Sequence, residues 1–269
     1  MKCYKAAIVD LDGVVWRSSK IIKENVEALK SILETTQLVF LTNNSTRTRK
    51  EYALKLSRIL ESEITPDQII TSGYSAAEWL RKTKPGSKTI VIGEEGLVAE
   101  LTMAGHTVLT SDNWISADAV VIGLDRNLTY RKLAAAHKAI VNGALFVATN
   151  RDTSYPDVEE TVPGAGSIVS LLETSTGKKP IVDAGKPNKW ILELALAKIR
   201  FPRNEVVVIG DRIDTDIAMA KENGLDSILV LTGVTKDPPG KLDGVIVAET
   251  LTSLTFDSKL CIESRFFND

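Results

Sequence analysis

Four short stretches of this chain carry the residue types best suited to chemistry. Asp10-Leu11-Asp12-Gly13 sets two carboxylates two positions apart. Side chains at that spacing share one face of a strand. If a strand ends here, both acids can look into one pocket, and Gly13 lets the backbone turn sharply. Two carboxylates so close repel, and a proton, a lysine or a divalent cation must offset the repulsion. An Asp-Gly pair also suits a solvated turn. Gly210-Asp211-Arg212-Ile213-Asp214-Thr215-Asp216 adds three more acids, which would equally suit the acidic first turn of a helix. Thr42-Asn43-Asn44 and Gly185-Lys186-Pro187 add a hydroxyl, backbone amides near Asn43 and an ammonium group. Those are the donors a phosphoryl group needs around it, and Lys186 would keep Asp10 ionised. Acids gathered from two such stretches make a hard-oxygen site of the Mg²⁺ type, with room for water and phosphate. Ca²⁺ suits it less. Counted from Asp211, Glu222 stands at position twelve, but no glycine stands at position six.

These stretches need a scaffold, and the sequence supplies one. Short β-branched runs alternate with amphipathic stretches, the pattern of an α/β protein whose parallel sheet is covered by helices. Early runs lie at 6–9, 38–41 and 68–71, late ones at 180–182, 205–209, 228–231 and 244–247. Helical patterns at 24–33 and 48–60 follow the first two, and Pro187 suits the opening of a helix over 187–199. In the middle, 89–92, 119–122 and 144–148 read as strands, and 95–103, 129–141 and 167–174 as helices. Breaks at Lys84-Pro85-Gly86 and at 176–180 bound this second system. The expected organisation is a core of residues 1–80 and 180–269 with an inserted domain of 81–179. In open parallel sheets ligands collect at the carboxyl ends of the strands, where all four stretches stand.

Composition narrows the function classes. The 269 residues include 33 Lys+Arg and 35 Asp+Glu, a net charge of −2. That gives no global attraction to nucleic acid or an anionic membrane. No apolar run approaches the ~20 residues of a membrane span, and the run at 6–9 stops at Asp10, short of a signal-peptide core. Two histidines, His106 and His137, cannot build a histidine-rich metal site. Cys3 and Cys261 cannot make a disulfide framework, and both read as small buried or terminal hydrophobes in a reducing cytoplasm.

The order Asp-x-Asp-Gly, Thr-Asn-Asn, Gly-Lys-Pro, Gly-Asp-x-x-x-Thr-Asp resembles the haloacid dehalogenase superfamily of phosphatases. The resemblance covers nearly the whole chain. The gap between Thr42 and Lys186 looks like the type II cap position, so it implies a Rossmann-like doubly wound core with an inserted α/β cap. Gly93-Glu94-Glu95-Gly96-Leu97, Ala148-Thr149-Asn150-Arg151-Asp152, Pro163-Gly164-Ala165-Gly166-Ser167 and Thr232-Gly233-Val234-Thr235 are similar to subtype IIA. That group contains 4-nitrophenylphosphatases and glycerol-phosphate, phosphoglycolate and pyridoxal-phosphate phosphatases. The resemblance implies that Asp10 attacks phosphorus and that Asp12 protonates the leaving group, then takes a proton from water. It implies Mg²⁺ held by the Asp10 carboxylate, the Asp12 carbonyl and Asp211, supported from one layer further out by Asp216. Thr42, Asn43 and Lys186 would bind the phosphoryl oxygens. Arg212 and Asp214 sit where the family varies, which leaves the role of Asp214 open.

Other readings fit less well. A phosphate-accepting signalling receiver gathers similar residues but is much shorter and orders its motifs differently. A dinucleotide fingerprint fails, because Gly164-Ala165-Gly166 continues to Val169 where a glycine is needed. A literal dehalogenase would leave Asp12 idle. A non-enzymatic binding protein would have lost one of Asp10, Asp12, Lys186 or Asp211. Trp16, Trp79, Trp114 and Trp190 read mainly as packing residues. The insert is expected to choose the substrate, chiefly through 150–163 with Arg151, Asp152, Tyr155 and Glu159. The expected partner is a small-molecule phosphate ester in the cytoplasm, with no nucleic acid and no membrane; the reading allows a homodimer.

Overall fold

The computed structural model describes residues 2–156, 160–238, 240, 242, 244–256 and 259–262. Along the chain the strands are β1 (Lys2–Tyr4), β2 (Ala6–Asp10), β3 (Trp16–Arg17), β4 (Lys20–Ile21), β5 (Gln37–Thr42), β6 (Ile69–Thr71), β7 (Lys88–Ile92), β8 (Thr107–Val108) and β9 (Ala119–Ile122). They continue as β10 (Leu145–Ala148), β11 (Ser154–Pro156), β12 (Thr161–Pro163), β13 (Val182–Asp183), β14 (Val206–Gly210), β15 (Asp226–Val230), β16 (Val245–Ala248), β17 (Thr255–Phe256) and β18 (Lys259–Ile262). The helices are α1 (Lys23–Ile32), α2 (Arg49–Leu60), α3 (Ser72–Thr83), α4 (Glu95–Met103), α5 (Tyr130–Val141), α6 (Ala165–Thr176), α7 (Lys189–Leu196) and α8 (Ala218–Glu222).

The chain divides into two compact units. The first is Met1–Leu41, Ala53–Ile70 and Leu192–Asp269; the second is Thr42–Tyr52 and Thr71–Ile191. The first is organised by a six-stranded sheet of order β16-β15-β14-β2-β5-β6. Its strands from β16 to β5 pair in parallel. Every residue of β2 and β14 is buried, as strands covered on both faces require, and this explains their continuous apolar runs. The order makes β2 and β14 neighbours, although 195 residues separate Asp10 from Val206. Leaving β2, the chain fills the sheet on one side through β5 and β6, then returns to fill the other. That reversal places a topological switch point at the carboxyl ends of β2 and β14, where open α/β sheets bind ligands.

The second unit repeats the principle on a five-stranded parallel sheet of order β13-β10-β9-β7-β8. Two apolar clusters make its core. One gathers Ile90, Ile92, Val120, Ile122, Ile140 and Val169, the other Leu80, Leu97, Leu101, Val121 and Val147. The α/β class and its parallel sheets agree with the expectation. Some differences are local. Helix α7 begins at Lys189 rather than at Pro187. Helix α3 was not anticipated: its first half, Ser72-Gly73-Tyr74-Ser75-Ala76-Ala77, is too poor in large apolar residues to show a stripe. Among the described residues no helix is long and apolar enough to cross a membrane.

One reading is corrected. Cys3 and Cys261 are not two separate hydrophobes; they form a disulfide across the antiparallel pair β1–β18, in direct register. Their sequence separation of 258 gave no local signal. The short strand β18 that brings them together had no counterpart in the pattern analysis.

Candidate functional site

The switch point of the first unit carries the acids. Asp10 is the last residue of β2 and Asp211 follows β14 directly. Asp216 lies on a single π-helical turn, Ile213–Ile217, which precedes α8. Such turns recur at functional sites. One carboxylate oxygen from each of Asp10, Asp211 and Asp216 lies within 4.8 Å of the others, and all three residues are buried. Glycines make this gathering feasible. A Cβ at Gly13 or Gly233 would run into the Asp211 carboxylate, and one at Gly210 would run into Asp216. Gly13 also needs φ +90°, a region other residues avoid. The Val234 amide donates to Asp211 Oδ2 at 2.5 Å, and the Thr235 amide to the Asp211 carbonyl at 3.2 Å.

Three buried carboxylates with hard oxygens and glycine walls are a donor set that fits Mg²⁺. Like charges at this spacing, removed from water, call for a cation. The Asp12 carboxylate stands outside this trio: its Oδ1 accepts from Trp16 Nε1 at 3.0 Å. Asp214 pairs with Arg212 through two hydrogen bonds of 3.0 and 2.7 Å and is exposed.

Asn25 is a contributor that pattern analysis missed. It is fully buried in the first turn of α1. Its Nδ2 donates to the Val14 carbonyl (2.9 Å) and to Thr232 Oγ1 (3.1 Å), and its Oδ1 accepts from the Leu251 amide (2.8 Å). Thr232 in turn donates to the Gly13 carbonyl at 2.6 Å. One amide thus braces the loops that carry Asp12 and Gly233. A polar residue in an otherwise apolar helix face was the only sequence signal.

The second unit holds the remaining expected residues. Thr42, the last residue of β5, is 1% exposed, and its Oγ1 accepts from the Asn44 amide at 3.1 Å. Asn43 ties two other loops to its own. Its Oδ1 accepts from the Lys186 amide (2.8 Å), and its Nδ2 donates to Asp152 Oδ2 (3.1 Å) and the Lys186 carbonyl (3.3 Å). Asn150 donates to the Asn43 carbonyl at 2.8 Å. Gly185 has no room for a Cβ, which would stand 2.6 Å from Asn43 Oδ1. Lys186 is buried. Arg151 is engaged by Asp183 at 2.6 Å and Glu173 at 2.9 Å. Those carboxylates, Glu173 first, raise its basicity against the opposing effect of burial, and Arg151 holds Glu173 below the usual carboxylate range. Tyr155 is half-buried on the β11–β12 hairpin, opposite Val162. Glu159 lies outside the described residues.

Comparison with known proteins gives concordant matches. Residues 7–107 match the family model described as haloacid dehalogenase-like hydrolase, and 183–254 one described as HAD-hydrolase-like. The chain is 37% identical to a 5′-nucleotidase of Bacillus subtilis over 88% of its own length and 90% of the relative's. It is 37% identical to an acid sugar phosphatase of Staphylococcus haemolyticus, covering 87% and 88%. Among solved structures, a p-nitrophenyl phosphatase from Archaeoglobus fulgidus superimposes with a TM-score of 0.85 at 34% identity, covering 93% of this chain and 97% of that one. A glycerol phosphate phosphatase from Mycobacterium tuberculosis, solved in complex with magnesium, gives 0.79 at 35% identity, covering 87% and 70%.

Proposed function

The chain belongs to the haloacid dehalogenase-like hydrolase family, and from that premise we propose that it is a phosphatase of small organic phosphate monoesters. The observation that carries the reading is the buried trio Asp10, Asp211 and Asp216 at the carboxyl ends of β2 and β14. Asp10, Asp211 and the Asp12 carbonyl would hold Mg²⁺, with Asp216 supporting them. When bound, the metal neutralises the charge of an anionic substrate that would otherwise be repelled from these acids.

Asp10 is the nucleophile, and the phosphoryl group passes to it as an aspartyl phosphate. Asp12 gives its proton to the departing alkoxide and later takes one from the hydrolytic water. Thr42, the amides near Asn43 and the Lys186 ammonium bind the oxygens of the transferred group. The Asn43 side chain sets the backbone of Lys186 through the two hydrogen bonds described above.

Substrate choice is assigned to the segment carrying Arg151, Asp152 and Tyr155. Glycerol 3-phosphate-like esters are the first choice, in line with the glycerol phosphate phosphatase among the structural neighbours. Phosphoglycolate, pyridoxal phosphate and nucleoside monophosphates are the alternatives, the last favoured by the 5′-nucleotidase relative. The test is release of inorganic phosphate from a panel of these esters with Mg²⁺. A preference of at least about tenfold in kcat/KM for one class identifies it. Release from none of them overturns the proposal.

A further inference from the structure

Trp16 was expected to serve packing, and it does: it is 3% exposed, and the Lys55 ammonium lies 3.5 Å from its ring centroid. Its polar edge has another partner. The Leu11 carbonyl accepts from the amides of Val15 (2.9 Å) and Trp16 (3.2 Å), and the Gly13 amide donates to the Trp16 carbonyl (2.6 Å). This tight turn, continued by the pairing of Trp16 with Ile21 across β3–β4, brings the indole back over Asp12. Its Nε1 then donates to Asp12 Oδ1 at 3.0 Å.

We propose that Trp16 is a positioning residue that fixes the Asp12 carboxyl and assigns the transferable proton to Oδ2. The proposal rests on Asp12 being the proton carrier of the proposed reaction. An indole N–H can only donate, and it cannot turn away from its ring plane. The ring is buried, so its N–H keeps its direction. Oδ1 therefore always meets a hydrogen, and a proton placed there would confront it. In the first half-reaction the ester P–O bond breaks as the Asp10 oxygen bonds to phosphorus. The leaving oxygen keeps the electron pair and takes the proton from Asp12 Oδ2. In the second, a water oxygen bonds to phosphorus, its proton passes to the same Oδ2, and the bond from phosphorus to Asp10 breaks. A carboxyl free to spin would present the wrong oxygen for part of the time, and rate depends steeply on such orientation.

The test uses leaving groups. Trp16→Phe keeps an aromatic ring, though a smaller one, and removes the N–H. Wild type, Trp16→Phe, Lys55→Met and Asp12→Asn are compared at saturating Mg²⁺ with an alkyl phosphate and with 4-nitrophenyl phosphate, whose phenolate leaves with little protonation. The expected result for Trp16→Phe is a kcat about tenfold lower on the alkyl ester and less than about threefold lower on the aryl ester, with KM nearly constant. Lys55→Met should leave both rates unchanged. An equal fall on both esters, or no fall, overturns the role of Trp16. If Asp12→Asn itself fails to discriminate between the esters, it is the reading of Asp12 that falls. A second measurement does not depend on the Phe variant folding. In protein labelled with ¹⁵N-tryptophan, one indole N–H resonance should shift strongly on Asp12→Ala. No responding resonance overturns the hydrogen bond on which the proposal stands.

Discussion

The two parallel sheets of this chain treat acidic residues in opposite ways. Around the five-stranded sheet each of several acids faces a base: Glu94 meets Arg126 at 2.7 Å, Asp125 meets Lys132 at 2.7 Å, and Glu100 meets Arg49 at 3.1 Å. Asp183 and Glu173 share Arg151. At the switch point of the six-stranded sheet, acids face acids, with Asp10, Asp211 and Asp216 gathered in one buried group. Pairing serves stability there; crowding here makes a donor set for a cation. Neutralising a carboxylate should therefore cost stability in the first place and metal binding in the second.

The largest effect is expected at the crowded end. Asp10→Asn should reduce hydrolysis by on the order of 10⁴-fold or more, since an amide is a very poor nucleophile. Its melting temperature should also respond less to Mg²⁺ than that of wild type. An unchanged response breaks the comparison.

Chelation comes next. Excess EDTA should reduce activity roughly 10³-fold, the several kcal/mol that a metal contributes to charge stabilisation. Mg²⁺ at about 100 times its dissociation constant should stabilise the wild type by ~2.7 kcal/mol, and Asp211→Asn should abolish that gain in a thermal melt.

The paired end offers the converse. Glu100→Gln leaves the largely buried Arg49 without its carboxylate and should cost about 3 kcal/mol in urea unfolding. Activity per folded molecule should remain. The smallest effect concerns acid. Arg126 and Arg151 hold Glu94 and Glu173 below the ordinary carboxylate range. With folded values depressed, their contribution is complete above the unfolded value and is lost as pH falls through the folded one. Each pair is half open to water, so the loss should be under about 1 kcal/mol. Urea unfolding at pH 7 and pH 3 should show Arg126→Ala flattening the difference slightly.

The acids were legible because buried parallel strands are unbroken apolar runs, so that the first charge after each run marks a strand end. Asp10 and Asp211 stand out for that reason. Asn25 did not, because its importance lies in three loops remote in sequence that its amide joins. Trp16 was visible as a bulky side chain, but the direction of its N–H follows from a turn whose hydrogen bonds leave no trace in composition. The pairing of Arg151 was hidden too, because its two carboxylate partners lie 22 and 32 residues away. Contacts between remote segments, the terminal sheet above all, have no periodicity to reveal them.

That terminal sheet has a mechanical consequence. Lys2 stands opposite Ile262, and the disulfide joins the next pair inward. In its oxidised form the segment from Cys3 to Cys261 is a ring of covalent bonds. Pulled from outside that ring, the oxidised protein should carry the load through two sulfur atoms, bypassing both sheets. Once reduced, the same molecule should lengthen by the extended contour of a sequence separation of 258, about 850 Å or more at full extension. A force–extension trace with and without reductant would read this difference directly.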